Sequence, residues 1–203
     1  MLKKSYKFFI KKLTRLELFA KLLHKESHKD NDIIVQFRKA GSNCFIPPSA
    51  YIGNPKYISI GDNFASWHNL RMEAIDEYMG QKFSPSIVIG NNVSIGADFH
   101  VGCINHITIG DNVLIAGRVF ITDHYHGNLT KDDIGIAPTE RKLFSKGPVI
   151  LMNNVWIGEG VCIMPGVTIG ANSVIGANSV VTKSFEENSI LAGSPAKLLR
   201  KLQ

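Results

Sequence analysis

A chain of 203 residues, 44% of them hydrophobic, can bury one sizeable core as a single domain. No stretch approaches the ~18 to 20 consecutive apolar residues of a membrane-spanning helix, and no apolar run with a small-residue cleavage site marks a secretory signal. The formal charge of +6 is unevenly spread: the first 29 residues hold nine Lys or Arg and two Glu, which leaves the remainder near neutral. That distribution argues against nucleic acid as a partner of the domain. Cys44, Cys103 and Cys162 form an odd, sparse set without close pairing, which points to a reducing compartment, the cytoplasm. Cys103 and Cys162 fall within repeats and read as small buried thiols.

Residues 1–32 are expected to form a basic amphipathic helix and a linker. Leu2, Tyr6, Phe9, Leu13, Leu16, Ala20 and Leu23 share one stripe at helical spacing, and lysines crowd the rest through residue 25. Two uses are open. The helix can lie on anionic lipid at the inner face of the membrane, or its stripe can pack on the domain or on a neighbouring subunit, the commoner fate of such helices. Ser27 to Asp32 is a polar linker.

From Cys44 a six-residue rhythm begins, with Ile46, Ile52 and Ile58, then Ile89, Ile95 and Val101, then Ile109, Ile115 and Ile121. It is strictest between Val149 and Glu186, where Leu151, Ile157, Ile163, Ile169, Ile175 and Val181 recur. Neither a helix nor a simple strand alternation has period six. A coil of three short flat faces does, each hexamer sending its aliphatic residue to the axis. The rhythm shifts by two at Ile58–Ile60, Ile87–Ile89, Ile107–Ile109 and Val149–Leu151, mostly before Gly-Asp-Asn, Gly-Asn-Asn or Met-Asn-Asn. Gly and Asn suit left-handed corners, and each shift is expected to widen a corner. The coil should span 33–192, with loops at 65–86 and 123–148 where the rhythm breaks. Loops on a rigid scaffold commonly carry function. Residues 193–203 are expected to end the coil as a short capping helix over Ala196 to Leu202.

Several motifs carry a family resemblance: Thr122-Asp123-His124, Ser145-Lys146-Gly147-Pro148, Asn154-Val155-Trp156-Ile157-Gly158-Glu159, Pro165-Gly166-Val167-Thr168-Ile169-Gly170, Val180-Val181-Thr182-Lys183 and Ala192-Gly193-Ser194-Pro195-Ala196-Lys197. On these the chain resembles the hexapeptide-repeat acyltransferases, most closely the acetyltransferases that modify sugars of bacterial surface polysaccharides. The resemblance is dense from about Ile87 onward, weaker over 44–86, and does not reach the N-terminal helix. It implies a mainly β protein, a left-handed parallel β-helix, against the usual right-handed crossover rule. It further implies a homotrimer with active sites shared between coils, acetyl-coenzyme A as co-substrate, no metal, and a free or lipid-linked sugar acceptor.

Acetyl transfer from a thioester to a hydroxyl needs a base, an oxyanion donor and in-line positioning. Histidine is the natural base at neutral pH. His124 opens the second loop directly after the phased Ile121, and the resemblance places the catalytic histidine at such a junction. Consecutive side chains of an extended segment point apart, so Asp123 is expected to shape the corner rather than orient the imidazole. The resemblance makes His100 an acceptor or oxyanion contact, where related enzymes often carry an asparagine. Asn105, at a widened corner, is a plausible acceptor partner, and His126 either shares a face with His124 or stands in water. For coenzyme A the resemblance implies Trp156 and Gly158 at the start of a groove, Ala177, Thr182 and Lys183 along the pantetheine arm and phosphates, and Arg200 at the nucleotide. Trp156 is otherwise packing between subunits, and Lys197, Arg200 and Lys201 otherwise a solvated helix face. Trp67 and Tyr78 offer aromatic platforms suited to a sugar.

Two competitors use the same coil. A zinc-dependent carbonic anhydrase needs three converging histidines. His100, His106, His124 and His126 invite the comparison, but no pair near a corner has the five-residue spacing of those enzymes. A non-catalytic trimeric scaffold would leave the motifs around Trp156 and Ala192–Lys197 idle.

Overall fold

The computed structural model describes residues 33–128 and 130–202. The expected N-terminal amphipathic helix and the linker to Asp32 lie outside them. Among the described residues strands dominate, and helix is limited to four short 3-10 turns. Among the described residues no helix is long and apolar enough to cross a membrane.

Three parallel sheets wind around one axis. The first face stacks Lys39–Ala40, Ile58–Ile60, Ser86–Ile89, His106–Ile109, Val149–Leu151 and Thr168–Ile169. The second runs from Ala65–Ser66 through Ser94–Ile95, Leu114–Ile115, Trp156–Ile157 and Val174–Ile175 to Ser189–Gly193. The third stacks Tyr51–Gly53, Arg71–Ala74, His100–Cys103, Phe120–Thr122, Cys162–Ile163 and Val180–Val181. The phased aliphatics meet in register on the axis. On the first face Ile60, Ile89, Ile109, Leu151 and Ile169 are successive partners, each buried. Each such side chain contributes about 1.5–3 kcal/mol of burial, so period six is the energetic repeat of the fold.

The expected Asn corners become a ladder. Asn43, Asn63, Asn92, Asn112, Asn154, Asn172 and Asn188 all adopt left-handed φ near +55 to +59°. Each side-chain amide donates to the next one's oxygen at 2.8–3.2 Å. One rung spans 18 residues, three hexamers per turn; the others span 20, 29 or 42 where a corner is widened and 16 at the last turn.

Every interruption falls at one corner, between the third face and the first. There the chain leaves after Gly53, Ala74, Cys103 and Thr122 and returns at Ile58, Ser86, His106 and Val149. The widened corners expected from the two-residue shifts are these. Two boundaries differ from expectation. Most of 65–86 is coil: Ile60, Ser66 and Met72 keep the six-residue phase, and the axis position of the middle one is filled by a serine, 1% exposed. Only 75–85 leaves the coil, as a hairpin of Glu77–Tyr78 against Gln81–Lys82. It turns through Met79 and Gly80, both at positive φ.

The second correction concerns the C-terminus. Ala196–Lys201 is a strand, antiparallel to Ser189–Gly193, not a capping helix. A helix of about seven residues is marginal alone, whereas the strand pairs backbone groups that Ser189–Gly193 would otherwise expose as a sheet edge.

Candidate active site

Stacking at a single corner brings the two excursions side by side. Tyr125–His126 pairs antiparallel with Leu143–Phe144, closing the base of the long loop. The Leu143 N–H donates to Gln81 Oε1 at 2.8 Å, and the Tyr78 hydroxyl donates to the Thr139 carbonyl at 2.6 Å. The hairpin thus clasps the loop. Both overhang the outer surface of the third face, where an open cleft is lined by Arg71, Glu73, His100, Phe120, His124 and His126, with Gly102, Thr122 and Met164 among its floor.

Two outward rows build that floor. In one, Tyr51, Arg71, His100, Phe120, Cys162 and Val180 are successive partners; in the other, Gly53, Glu73, Gly102 and Thr122. Polar groups gather on the earlier coils and apolar ones on the later. Cys162, expected to be buried, is only partly buried on the outward row, whereas Cys103 is buried.

His124 lies just past the end of Phe120–Thr122, with an 11% exposed side chain. Its Nδ1 is 3.1 Å from Asp123 Oδ1 and 3.2 Å from Thr122 Oγ1. The expectation that Asp123 does not orient the imidazole is therefore corrected. The strand has ended at Thr122 and the chain bends, so adjacent side chains converge. Asp123 also shapes the corner as expected. Fully buried, it accepts the N–H of Ile104 (2.9 Å) and Asn105 (2.8 Å) and the thiol of Cys103 (3.2 Å). Burial by itself raises the carboxyl's pKa, but the hydrogen bonds from His124 and these three donors outweigh it and hold the group below its ordinary value. Burial and the Asp123 charge push the Cys103 thiol far up, so it stays protonated.

His100 Nε2 is 2.8 Å from Glu73 Oε2, and its ring tilts over Phe120 at 4.9 Å. Burial lowers its pKa, with the Glu73 hydrogen bond opposing. His126 sits on the cleft rim against Tyr78, edge to face at 5.4 Å. Asn105 is not in the cleft lining; its backbone serves Asp123 and its side chain is exposed. Trp67 lies on the second-face side, 70% exposed.

The residues assigned to coenzyme A lie on the second face, at the corners on either side of the third face, and on the terminal hairpin. Trp156, 52% exposed, stands between Leu114 and Val174 on the second face. Gly158 lies tightly on the next coil, where a Cβ would fall 2.7 Å from the Ala177 nitrogen. Thr182 and Lys183 leave the third face exposed, with Lys183 Nζ 5.5 Å above the Phe185 ring. Arg200 is exposed, on a strand rather than a helix, opposite Ile190. Among the described residues, none of these groups lines the cleft that holds His124. Among the described residues no group of three or more His, Cys, Asp or Glu is arranged to hold a metal.

Arg71 and Glu73 are the site residues that sequence reasoning passed over. Their signal was the unbroken phase through Ser66 to Met72, which places Arg71 and Glu73 on the outward side of the third face beside His100.

Residues 148–183 match the family described as bacterial transferase hexapeptide (six repeats), and 86–123 that described as hexapeptide repeat of succinyl-transferase. The chain is 38% identical over 163 residues to the Escherichia coli (strain K12) protein named "Putative lipopolysaccharide biosynthesis O-acetyl transferase WbbJ", covering 78% of this chain and 80% of that one. It is 33% identical over 171 residues to galactoside O-acetyltransferase of the same organism, covering 82% of this chain and 64% of the relative. Among solved structures, a galactoside acetyltransferase in complex with coenzyme A superimposes with a TM-score of 0.54 at 28% identity, over 91% of this chain and 78% of that one. AntD, an N-acyltransferase from Bacillus cereus solved with dTDP and 3-hydroxybutyryl-CoA, shares the fold at a TM-score of 0.68 and 24% identity, over 83% of this chain and 85% of that one. With its hexameric phase, its three-faced coil and these relatives, the chain belongs to the hexapeptide-repeat acyltransferases, enzymes built on a left-handed parallel β-helix.

Proposed function

We propose that the protein transfers an acetyl group from acetyl-coenzyme A to a sugar hydroxyl during the synthesis of a bacterial surface polysaccharide, with His124 as general base. One observation carries the reading: His124 lines the cleft with Nδ1 tied to Asp123, which leaves Nε2 to accept a proton. Nε2 takes the proton as the hydroxyl oxygen attacks the thioester carbonyl. The tetrahedral intermediate then collapses, the C–S bond breaks, and the same proton passes to the leaving sulfur. The products are the acetyl ester and free coenzyme A.

His100 and His126 contact the acceptor, with Asn105 exposed on the corner that Asp123 closes, outside the cleft lining. Trp156, Gly158, Ala177, Thr182 and Lys183 take the pantetheine arm, and Arg200 the nucleotide phosphates, where its guanidinium suits an anion. Since these groups lie apart from His124 in one subunit, the reading includes a homotrimer whose sites are completed between coils. The names of the relatives support sugar hydroxyl chemistry, and galactoside acetyltransferase in complex with coenzyme A supports the co-substrate. A contact of residues 1–25 either with anionic lipid at the inner face of the membrane or with protein, the domain or a neighbouring subunit, is compatible with this reading.

The test is a sugar-acceptor screen with acetyl-coenzyme A, reading thiol release, on the wild type and His124→Ala. Transfer by the wild type and a fall of about 100-fold or more in kcat, within the usual range for a lost general base, with native mass and strand circular dichroism retained, is the expected result. Full transfer by the variant removes His124 from the role.

A further inference from the structure

His100 and His124 stand on adjacent coils of the third face, and each has one ring nitrogen tied to a carboxylate. His124 Nδ1 faces Asp123, and His100 Nε2 faces Glu73. Glu73 is in turn gripped by Arg71, whose Nε lies 2.9 Å from Oε2 and Nη2 3.1 Å from Oε1. An ionised carboxylate only accepts hydrogen bonds, so each of these ring nitrogens carries the proton. Burial keeps the His100 ring neutral near pH 7. Its proton is therefore on Nε2, and Nδ1 presents a lone pair.

The opposite nitrogens, His100 Nδ1 and His124 Nε2, have no partner within the described chain. Yet among the described residues the buried side-chain nitrogen or oxygen lacking a partner is Ser66 Oγ alone. Both free nitrogens thus reach open space, on two rings that line the same cleft. Gly102 lies beside both rings, against the carboxylate-facing nitrogen of His100 and the carbon between the two nitrogens of His124. A Cβ there would stand 3.2 Å from His124 Cε1 and 4.0 Å from His100 Nε2. The wall of the cleft is a pair of acceptors held in opposite tautomers.

We infer that Glu73 is a positioning residue that fixes His100 as a hydrogen-bond acceptor, and that the cleft selects acceptors with two neighbouring hydroxyl groups. One hydroxyl donates to His124 Nε2 and is acetylated. The other donates to His100 Nδ1 and keeps its proton throughout. In this tautomer His100 cannot donate to an oxyanion, so its part is recognition of the acceptor. The acceptor half of this inference rests on the proposed transfer to a sugar; the role of Glu73 does not.

The experiment compares two glycoside acceptors that differ by one hydroxyl, next to the acetylated position, in the wild type and Glu73→Gln. For the wild type, loss of that hydroxyl is expected to raise the acceptor KM roughly three- to tenfold, the range for one neutral hydrogen bond, with kcat nearly unchanged. Glu73→Gln should raise KM for the diol by a similar factor, leave the deoxy acceptor unaffected, and leave the KM of acetyl-coenzyme A unchanged. Equal losses on both acceptors, or none on either, overturn the inference. Nitrogen-15 spectra of the imidazoles at pH 7 give a readout independent of turnover. The His100 ring should be the Nε2–H tautomer in the wild type and a mixture of both tautomers in Glu73→Gln, because an amide can accept from the ring or donate to it. An imidazolium or an Nδ1–H tautomer in the wild type defeats the role of Glu73. If the wild type acetylates no sugar, the proposed function and the diol fall together, while the spectra still decide Glu73.

Discussion

Asp123 performs two tasks with one carboxylate. It closes the corner through the N–H groups of Ile104 and Asn105, and it faces the imidazole of His124. Hydrogen bonds to a charged group are worth roughly 1.5–3 kcal/mol each, and here they hold the folded pKa below the unfolded one. The stabilisation is thus fully present above the unfolded value, about 3.9, and is lost as pH falls through the lower folded value. Asp123→Asn keeps the shape without the charge. It should destabilise the protein at pH 7 by roughly 1–3 kcal/mol, and chemical denaturation should show the gap to the wild type narrowing in acid. The same variant is expected to lower kcat by at least about 100-fold, because an asparagine can accept from His124 in one orientation and donate in the other, so the tautomer is no longer fixed. His100 carries linkage of the same sign in a higher pH window. Its pKa is lowered in the fold, so its contribution is intact above the unfolded value and declines as pH falls below about 6.5.

The asparagine ladder is the element that spaces the coils. Asn112 accepts from Asn92 at 3.0 Å, donates to Asn154 at 3.2 Å, and holds φ at +56°. Two effects are separable there. Asn112→Gly removes the ladder bonds but relieves the left-handed backbone, whereas Asn112→Ala removes the bonds and keeps the Cβ without the short polar side chain that eases this conformation, a further cost of about 1–2 kcal/mol. Urea melts should therefore rank the wild type above Asn112→Gly and that above Asn112→Ala. Equal midpoints for the two variants would mean that left-handed strain does not limit the corner. The dipeptides Asp-Asn and Asn-Asn announced this ladder in the sequence because only Gly and Asn take that conformation readily. The C-terminal strand was not so announced. Leu198, Leu199 and Leu202 fit a helical stripe as well as an edge strand, and the choice was made by the open edge of Ser189–Gly193.

For the whole molecule, the separation of His124 from Trp156, Lys183 and Arg200 within one subunit argues for assembly. Sedimentation is expected to give three times the 22.4 kDa subunit mass, and a monomer retaining full activity would refute shared sites. Trp156→Ala should raise the KM of acetyl-coenzyme A roughly tenfold, about the worth of one well-placed aromatic contact, with the mass unchanged. A dissociated variant would instead make Trp156 an assembly residue. Period six determined the coil by itself, because each buried aliphatic residue repeats the same burial energy at the same angular position. It also made the His124 junction visible, since phase ends there. Where the axis position is filled by Ser66 the pattern was obscured, and Arg71 and Glu73 were hidden in an apparent loop. Sequence order likewise could not place Glu73 against His100, or Asp123 against Ile104 and Asn105. Those pairs are made by stacking coils at one corner and by a bend after a strand end, and only the folded chain decides which residues of neighbouring coils fall into register.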